Sequence, residues 1–237
     1  MKMQLSKRLE AIARMVSPGN RLVDVGCDHG YLPIALTLRQ VIPSAIAMDV
    51  RPGPLARAKE NIDAYGLNPY IETRLSDGLE ALEPGEGDTL SIAGMGGPLM
   101  ERILTKDWEV SKSFRELILQ PQSEICHFRK FLLSNGFDLK EEDMVLEDGK
   151  YYFILRAVPA SRGSWNHYRD IDYHYGRFLL QHKNPVLLQF LERELRKNET
   201  ISGQLARNAN QAAQVRQKEL REERQRILSA MREYENQ

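Results

Sequence analysis

The chain has 237 residues, 42% of them hydrophobic, with 33 Lys/Arg balancing 33 Asp/Glu. No apolar run reaches the length of about 18 residues that a membrane-spanning helix needs, and the two cysteines, Cys27 and Cys126, exclude a disulfide framework and leave no zinc-ligand spacing. This size suits one ordinary domain plus a smaller appendage, and the absence of an apolar stretch near Met1 points to no signal peptide and a reducing, cytoplasmic setting.

Residues 5–16 read as an amphipathic helix, with Leu5, Leu9, Ile12, Ala13 and Val16 on one face and Pro18-Gly19 ending it. Strand and helix signals then alternate. Strands are predicted at 21–25, 44–50, 70–75, 88–93 and 115–120, and helices at 31–40, 53–65, 97–105 and 123–135. Gly66 and Gly136 stand where left-handed helix caps are wanted. Five such repeats imply a parallel sheet covered on both faces. The pattern then changes: two strand-like runs, 143–147 and 150–157, are joined by the hairpin signal Asp148-Gly149. Nucleotide-dependent dehydrogenases usually end in another strand–helix unit. An antiparallel hairpin at this point is instead similar to the ending of class I methyltransferases.

Residues 159–168 read as a linker, and the chain beyond is almost wholly helical. Asn184-Pro185 marks a helix start. One apolar stripe runs Leu188, Leu191, Leu195, Leu205, and a second runs Ala213, Leu220, Ile227, Met231, Tyr234; Asn198, Ser202, Gln217 and Arg224 interrupt them. Two matching seams indicate an antiparallel hairpin or coiled coil turning near Asn208–Asn210, or else one long helix that pairs between chains. Residues 161–237 hold 14 Lys/Arg against 10 Asp/Glu, net +4, and leave residues 1–160 at net −4. A basic tail beside an acidic body is compatible with an RNA partner, and equally with a solvated helical surface.

The chemistry concentrates in Val23-Asp24-Val25-Gly26-Cys27-Asp28-His29-Gly30-Tyr31. A strand, a glycine turn and a helix start in succession form the usual nucleotide loop of an α/β sheet. The dinucleotide pattern G-x-G-x-x-G would place backbone amides around a diphosphate. Here Asp28 replaces the middle glycine, and Asp24 precedes the turn by two residues. Two like charges ~4 Å apart repel by ~4 kcal/mol at an effective dielectric of ~20. These acids therefore disfavour a diphosphate and favour a cationic cofactor: S-adenosylmethionine, whose ammonium a carboxylate can accept. Asp49, with Val50 after it, ends the second strand and can accept two ribose hydroxyls. Asp77-Gly78 follows the third strand and can accept an adenine amine. Either aspartate could instead cap a turn; their serial placement at consecutive strand ends argues for the adenosine reading. Gly94-Met95-Gly96-Gly97 follows the fourth strand and allows close backbone approach, and Gln120-Pro121-Gln122 is expected to act likewise after the fifth. The cofactor-binding candidates are thus Asp24, Gly26, Cys27, Gly30, Asp49, Val50, Asp77, Gly78, Gly94, Met95 and Gly96.

The acceptor is narrowed by what is missing. The Asp/Asn-Pro-Pro-Tyr motif of exocyclic-amine methyltransferases does not follow the fourth strand, and neither cysteine suits a pyrimidine C5 nucleophile. A ring nitrogen needs neither device, because its in-plane lone pair can attack a methyl group once aligned. Asp28, His29 and Tyr31 share the mouth of the turn and, with Gln120, are the catalytic or base-contacting candidates; loop stabilisation is the competing role for His29. His127, His167, His174 and His182 show no metal-ligand spacing, so no metal is expected.

Asp24-Val25-Gly26-Cys27-Asp28-His29-Gly30-Tyr31-Leu32-Pro33, Ile92-Ala93-Gly94-Met95-Gly96-Gly97 and Leu117-Ile118-Leu119-Gln120-Pro121 together resemble motifs of one family. Leu5-Ser6-Lys7-Arg8-Leu9 and Glu147-Asp148-Gly149-Lys150 match it as well. The resemblance is to the bacterial TrmK group, tRNA methyltransferases acting on N1 of the adenine at position 22. It implies a Rossmann-like class I methyltransferase domain (residues 1–160) with a seven-stranded, mostly parallel sheet, binding S-adenosylmethionine. A C-terminal helical coiled-coil domain (residues 161–237) would hold the tRNA. It further implies direct attack by adenine N1 on a base displaced from the folded tRNA, by a monomeric cytoplasmic enzyme. Lys7, Arg8, Arg193, Arg196, Lys197 and Arg207 are then candidates for phosphate contacts. A methyltransferase for another RNA position or a small molecule, and a non-catalytic RNA-binding protein, are the alternatives.

Overall fold

The computed structural model describes residues 3–160, 167–205 and 211–235. It divides into two compact units, Met1–Trp165 and Asn166–Gln237.

In the first unit seven strands form one sheet in the order β3-β2-β1-β4-β5-β7-β6. Five of them are β1 (Leu22–Val25), β2 (Ala45–Asp49), β3 (Ile71–Leu75), β4 (Thr89–Met95) and β5 (Glu116–Pro121). They pair in parallel, as the alternating pattern predicts. The helices α1 (Lys7–Met15), α2 (Tyr31–Leu38), α3 (Pro52–Ala64), α4 (Gly97–Lys106) and α6 (Ile125–Ser134) fall within a few residues of expectation; the short α5 (Trp108–Ser113) has no clear period and is not predicted. Ser6 accepts the Leu9 amide and starts α1, which buries Ala11, Ile12, Ala13 and Met15. The left-handed Gly66 and Gly136 follow α3 and α6, where caps are expected.

The antiparallel ending is β6 (Phe137–Glu147) and β7 (Lys150–Pro159), with β7 inserted between β5 and β6. Asp148 and Gly149 are both left-handed, as a two-residue hairpin turn with matching twist requires. β6 is far longer than the predicted 143–147. Its first half carries Asp138, Lys140, Glu141 and Glu142, which hide a strand, and a bulge between Leu139 and Glu141 breaks the alternation. Asp138 and Glu142 are nonetheless buried. Glu142 is neutralised by Arg129 of α6, Nε to Oε1 2.7 Å, with both side chains out of water; such a pair survives burial because each charge compensates the other.

The second unit comprises α7 (Asp170–Tyr175), α8 (Arg177–Gln181), α9 (Pro185–Leu205) and α10 (Gln211–Glu235). Asn184 Oδ1 accepts the Val186 and Leu187 amides, confirming the helix start at Pro185. The Tyr234 hydroxyl donates to the Asn184 carbonyl and Asn198 Nδ2 donates to the Leu220 carbonyl, so α9 and α10 pack antiparallel within one chain. The intramolecular arrangement is therefore the one adopted; the turn expected at Asn208–Asn210 lies outside the described residues. The seam also differs in detail. Leu187, not Leu188, is fully buried, and Asn198 sits inside the seam at 2% exposure rather than interrupting it.

Candidate active site

All four residues of β1 are buried, and the strand delivers the chain into the Gly26–Gly30 turn. The Gly26 and Cys27 amides both donate to the Met48 carbonyl of β2, at 2.8 and 2.9 Å, which pins the turn to its neighbour strand. Gly26, Asp28 and Gly30 are left-handed, with φ of 76°, 47° and 69°. At Gly26 a Cβ would meet only the movable Met95 methyl, so it is the left-handed conformation that calls for glycine. Asp28 holds the middle left-handed position, a conformation aspartate tolerates better than most side chains.

Two cavities open around this turn. One, of about 660 Å³, is lined among others by Asp49, Val50, Asp77, Gly78, Met95 and Gln122. The other, of about 460 Å³, is lined among others by Leu5, Asp24, Cys27, His29, Tyr31 and Tyr152. Arg8, Gly26, Asp28 and Ala93 line both, so the two adjoin. Both volumes suit a small organic ligand. They lie at the carboxyl ends of the parallel strands where the strand order reverses between β1 and β4, the usual ligand crevice of such sheets.

The acids occupy different environments. Asp24 is 6% exposed. Burial pushes its carboxyl up to about 6, with the Arg8 charge opposing and Asp49 adding to the rise. Asp49 is also buried, and its Oδ1 accepts the Arg51 amide at 2.9 Å. Asp28 is solvent-facing, 3.6 Å from Arg57 and 3.8 Å from His29 Nε2. Asp77 lies in the first cavity's wall but is held by Lys106 at 3.3 Å and Arg102 at 3.9 Å. Burial and the neighbouring carboxylates push the Cys27 thiol up, which keeps it protonated.

His29 and Tyr31 stack on one another at the mouth of the second cavity, and Asn61 fixes the loop by donating to the His29 carbonyl at 2.9 Å. Gly94 and Met95 line the first cavity and belong to β4, which runs past the predicted end with a register shift between Ala93 and Met95. Gly30 and Gly96 line neither cavity. Gly30 faces Ala58 of α3 and Gly96 faces Ser123, so their close approaches are to protein. Gln120 is fully buried inside β5, not in a loop after it; the residue of that segment facing the cavity is Gln122. Arg8, read from sequence as a candidate phosphate contact, is part of both cavity walls. Residues missed at the sequence level are Ser76, Leu99 and Arg102 in the first cavity and Ser6, Glu147 and Tyr152 in the second. The distinctive Leu5–Leu9 and Glu147–Lys150 segments were the available signal for part of that set.

A family model described as a methyltransferase domain matches residues 5–155. The chain is 35% identical over 212 residues to the tRNA (adenine(22)-N(1))-methyltransferase of Bacillus subtilis, covering 88% of each chain. The chain belongs to the TrmK family. The TrmK crystal structure from B. subtilis superimposes with a TM-score of 0.85 at 33% identity, over 96% of this chain and 99% of that one. A Streptococcus pneumoniae protein solved in complex with S-adenosyl-L-methionine gives 0.84 at 36% identity, over 96% and 99%. TrmK of M. capricolum, solved with S-adenosyl-homocysteine, gives 0.83 at 25% identity, over 97% and 98%. Within the TrmK fold the two cavities of this chain adjoin at Arg8, Gly26, Asp28 and Ala93, with buried acids on their inner walls and the His29 and Tyr31 rings at one mouth.

Proposed function

We propose that this TrmK family member is a tRNA (adenine(22)-N1)-methyltransferase using S-adenosylmethionine. The observation that carries the reading is the pair of adjoining cavities: one acid-lined and apolar-rimmed, the other mouthed by a stacked aromatic pair. The residues fit the cofactor. A buried carboxylate (Asp24) and a buried strand-end carboxylate (Asp49) suit an ammonium and a ribose, and Val50 and Leu99 expose apolar surface to a ring. Gly26, whose Cβ position is already filled by Met95, leaves backbone at the junction. Asp77 and Gly78 are assigned the adenine edge, and Cys27, Gly94 and Met95 the nearby walls. Gly30 and Gly96 shape these segments from behind.

When bound, the cofactor supplies an electrophilic methyl group that the lone pair of adenine N1 attacks directly. The chain's own part is positioning and exclusion of water. Tyr31 and His29 offer a stacking face for a displaced base. Asp28 places a negative charge beside it, which offsets the positive charge that methylation puts on the ring. The body 1–160 is assigned the chemistry and the basic helical part 161–237 the tRNA, in a monomeric cytoplasmic enzyme. Among the described residues no helix is long and apolar enough to cross a membrane. Arg193, Arg196 and Lys197 on α9 remain candidates for phosphate contacts; Arg207 lies outside the described residues.

The test is incubation with labelled S-adenosylmethionine and unmodified tRNA, followed by digestion and identification of the modified nucleoside. 1-Methyladenosine at position 22 is expected. Its absence overturns the reading, and its appearance elsewhere overturns the site assignment alone.

A further inference from the structure

Arg8 is carried by α1, yet its guanidinium lies in the wall shared by both cavities. Its Nη1 donates to Gln120 Oε1 at 3.1 Å. The same oxygen accepts the Gly94 amide, also at 3.1 Å, while Gln120 Nε2 donates to the Pro121 carbonyl at 3.1 Å. Gln120 is fully buried, so its amide cannot exchange these partners for water. Gly94 is left-handed and Met95, its neighbour, abuts Gly26 at the turn. The other end of the arrangement is anchored too. The Lys7 amide donates to Glu147 Oε1 at 2.6 Å, and the Arg8 guanidinium lies over the Tyr152 ring, 5.6 Å from its centroid.

We propose that Arg8 and Gln120 are positioning residues for methyl transfer: Arg8, at the junction of the two cavities, holds through Gln120 the Gly94 backbone that walls the first. This deepens the methyltransferase reading above and rests on it. A surface phosphate-binding arginine has no need of a buried amide partner. A tie of this kind connects a residue at the junction of the two cavities to the Gly94 backbone that walls the first, and so governs alignment across that junction. Gln120 thereby acts through Gly94 and not by contact with a substrate.

The test compares wild type with Arg8→Met, which keeps the side chain's length and helix propensity, and Arg8→Lys, which keeps a donor. Methylation is measured with tRNA at saturating cofactor, and cofactor Kd by calorimetry. Arg8→Met is expected to lower kcat about 10- to 100-fold, the scale of a small misalignment. KM for tRNA and cofactor Kd stay within about threefold, and Arg8→Lys recovers part of the loss. Amide exchange at Gly94, read by NMR without any turnover, is expected to accelerate in Arg8→Met. An unchanged kcat, a loss confined to KM for tRNA, a loss accounted for by cofactor Kd, or unaltered Gly94 exchange each overturns the proposal. Failure of the wild type to form 1-methyladenosine overturns the functional reading instead, while Gly94 exchange still decides whether the tie exists.

Discussion

His29 and Tyr31 stack nearly parallel, with ring centroids 5.1 Å apart and planes 8° from coplanar alignment. Tyr31 is 41% exposed at the first turn of α2. The pair gives the second cavity a flat aromatic face at its mouth.

Replacing that face should cost acceptor recognition and spare the donor. Tyr31→Ala is expected to lower kcat/KM for tRNA by about 1–3 kcal/mol, the range for loss of a base-stacking ring. Tyr31→Phe should retain most activity, because stacking needs the ring and not the hydroxyl. Steady-state kinetics with cofactor Kd as the control checks this; an equal loss in both variants would assign the hydroxyl, not the stack.

The buried Asp24 carboxyl yields opposite pH dependences for two measurements. Held up at about 6 against an ordinary 3.8, it binds its proton more tightly in the folded chain. It therefore favours folding at low pH, and that contribution is lost as pH rises through about 6. Asp24→Asn should stabilise the ligand-free protein at pH 8, by on the order of 1–3 kcal/mol, and give no gain below about pH 4. Cofactor affinity should run the other way. In wild type it falls as pH drops through about 6, because a neutral carboxyl no longer attracts an ammonium, and in Asp24→Asn it is weak throughout. Denaturation midpoints and calorimetric titrations of the two proteins across this range provide the check.

Asp49 differs, since its Oδ1 is already satisfied by the Arg51 amide. Asp49→Ala is expected to weaken cofactor binding by about 1–3 kcal/mol, a lost hydrogen bond to a charged group. Calorimetry that finds unchanged affinity would remove Asp49 from the ribose role.

Ending the chain after residue 160 should separate the two activities. The first unit keeps its sheet and both cavities, so cofactor Kd should be unchanged. Loss of the net +4 helical part should weaken tRNA binding about 10-fold or more, with a shallower salt dependence. Equal tRNA affinity of the short and full chains, in filter binding at two salt concentrations, would reject an RNA role for these helices.

The parallel strands β1, β2, β4 and β5 were legible because each carries a short apolar run closed by a turn residue. The first half of β6 was not, because Asp138 and Glu142 look solvent-facing until Arg129 from another element neutralises one of them. Asn198 is a related case: its amide nitrogen donates to the Leu220 carbonyl of the facing helix, a partner 22 residues away in the chain.

The same division holds at the site. Local sequence determined the left-handed turn at Gly26, Asp28 and Gly30, the strand-end carboxylates Asp24 and Asp49, and the hairpin at Asp148-Gly149, because backbone conformation and strand polarity are set by neighbouring residues. The tertiary fold alone decided that Arg8 lines both cavities, that Gln120 is sealed behind them while Gln122 faces one, and that burial pushes the Asp24 carboxyl up to about 6. Those outcomes depend on which elements exclude water from a group, and burial is a property of the assembled sheet and its helices.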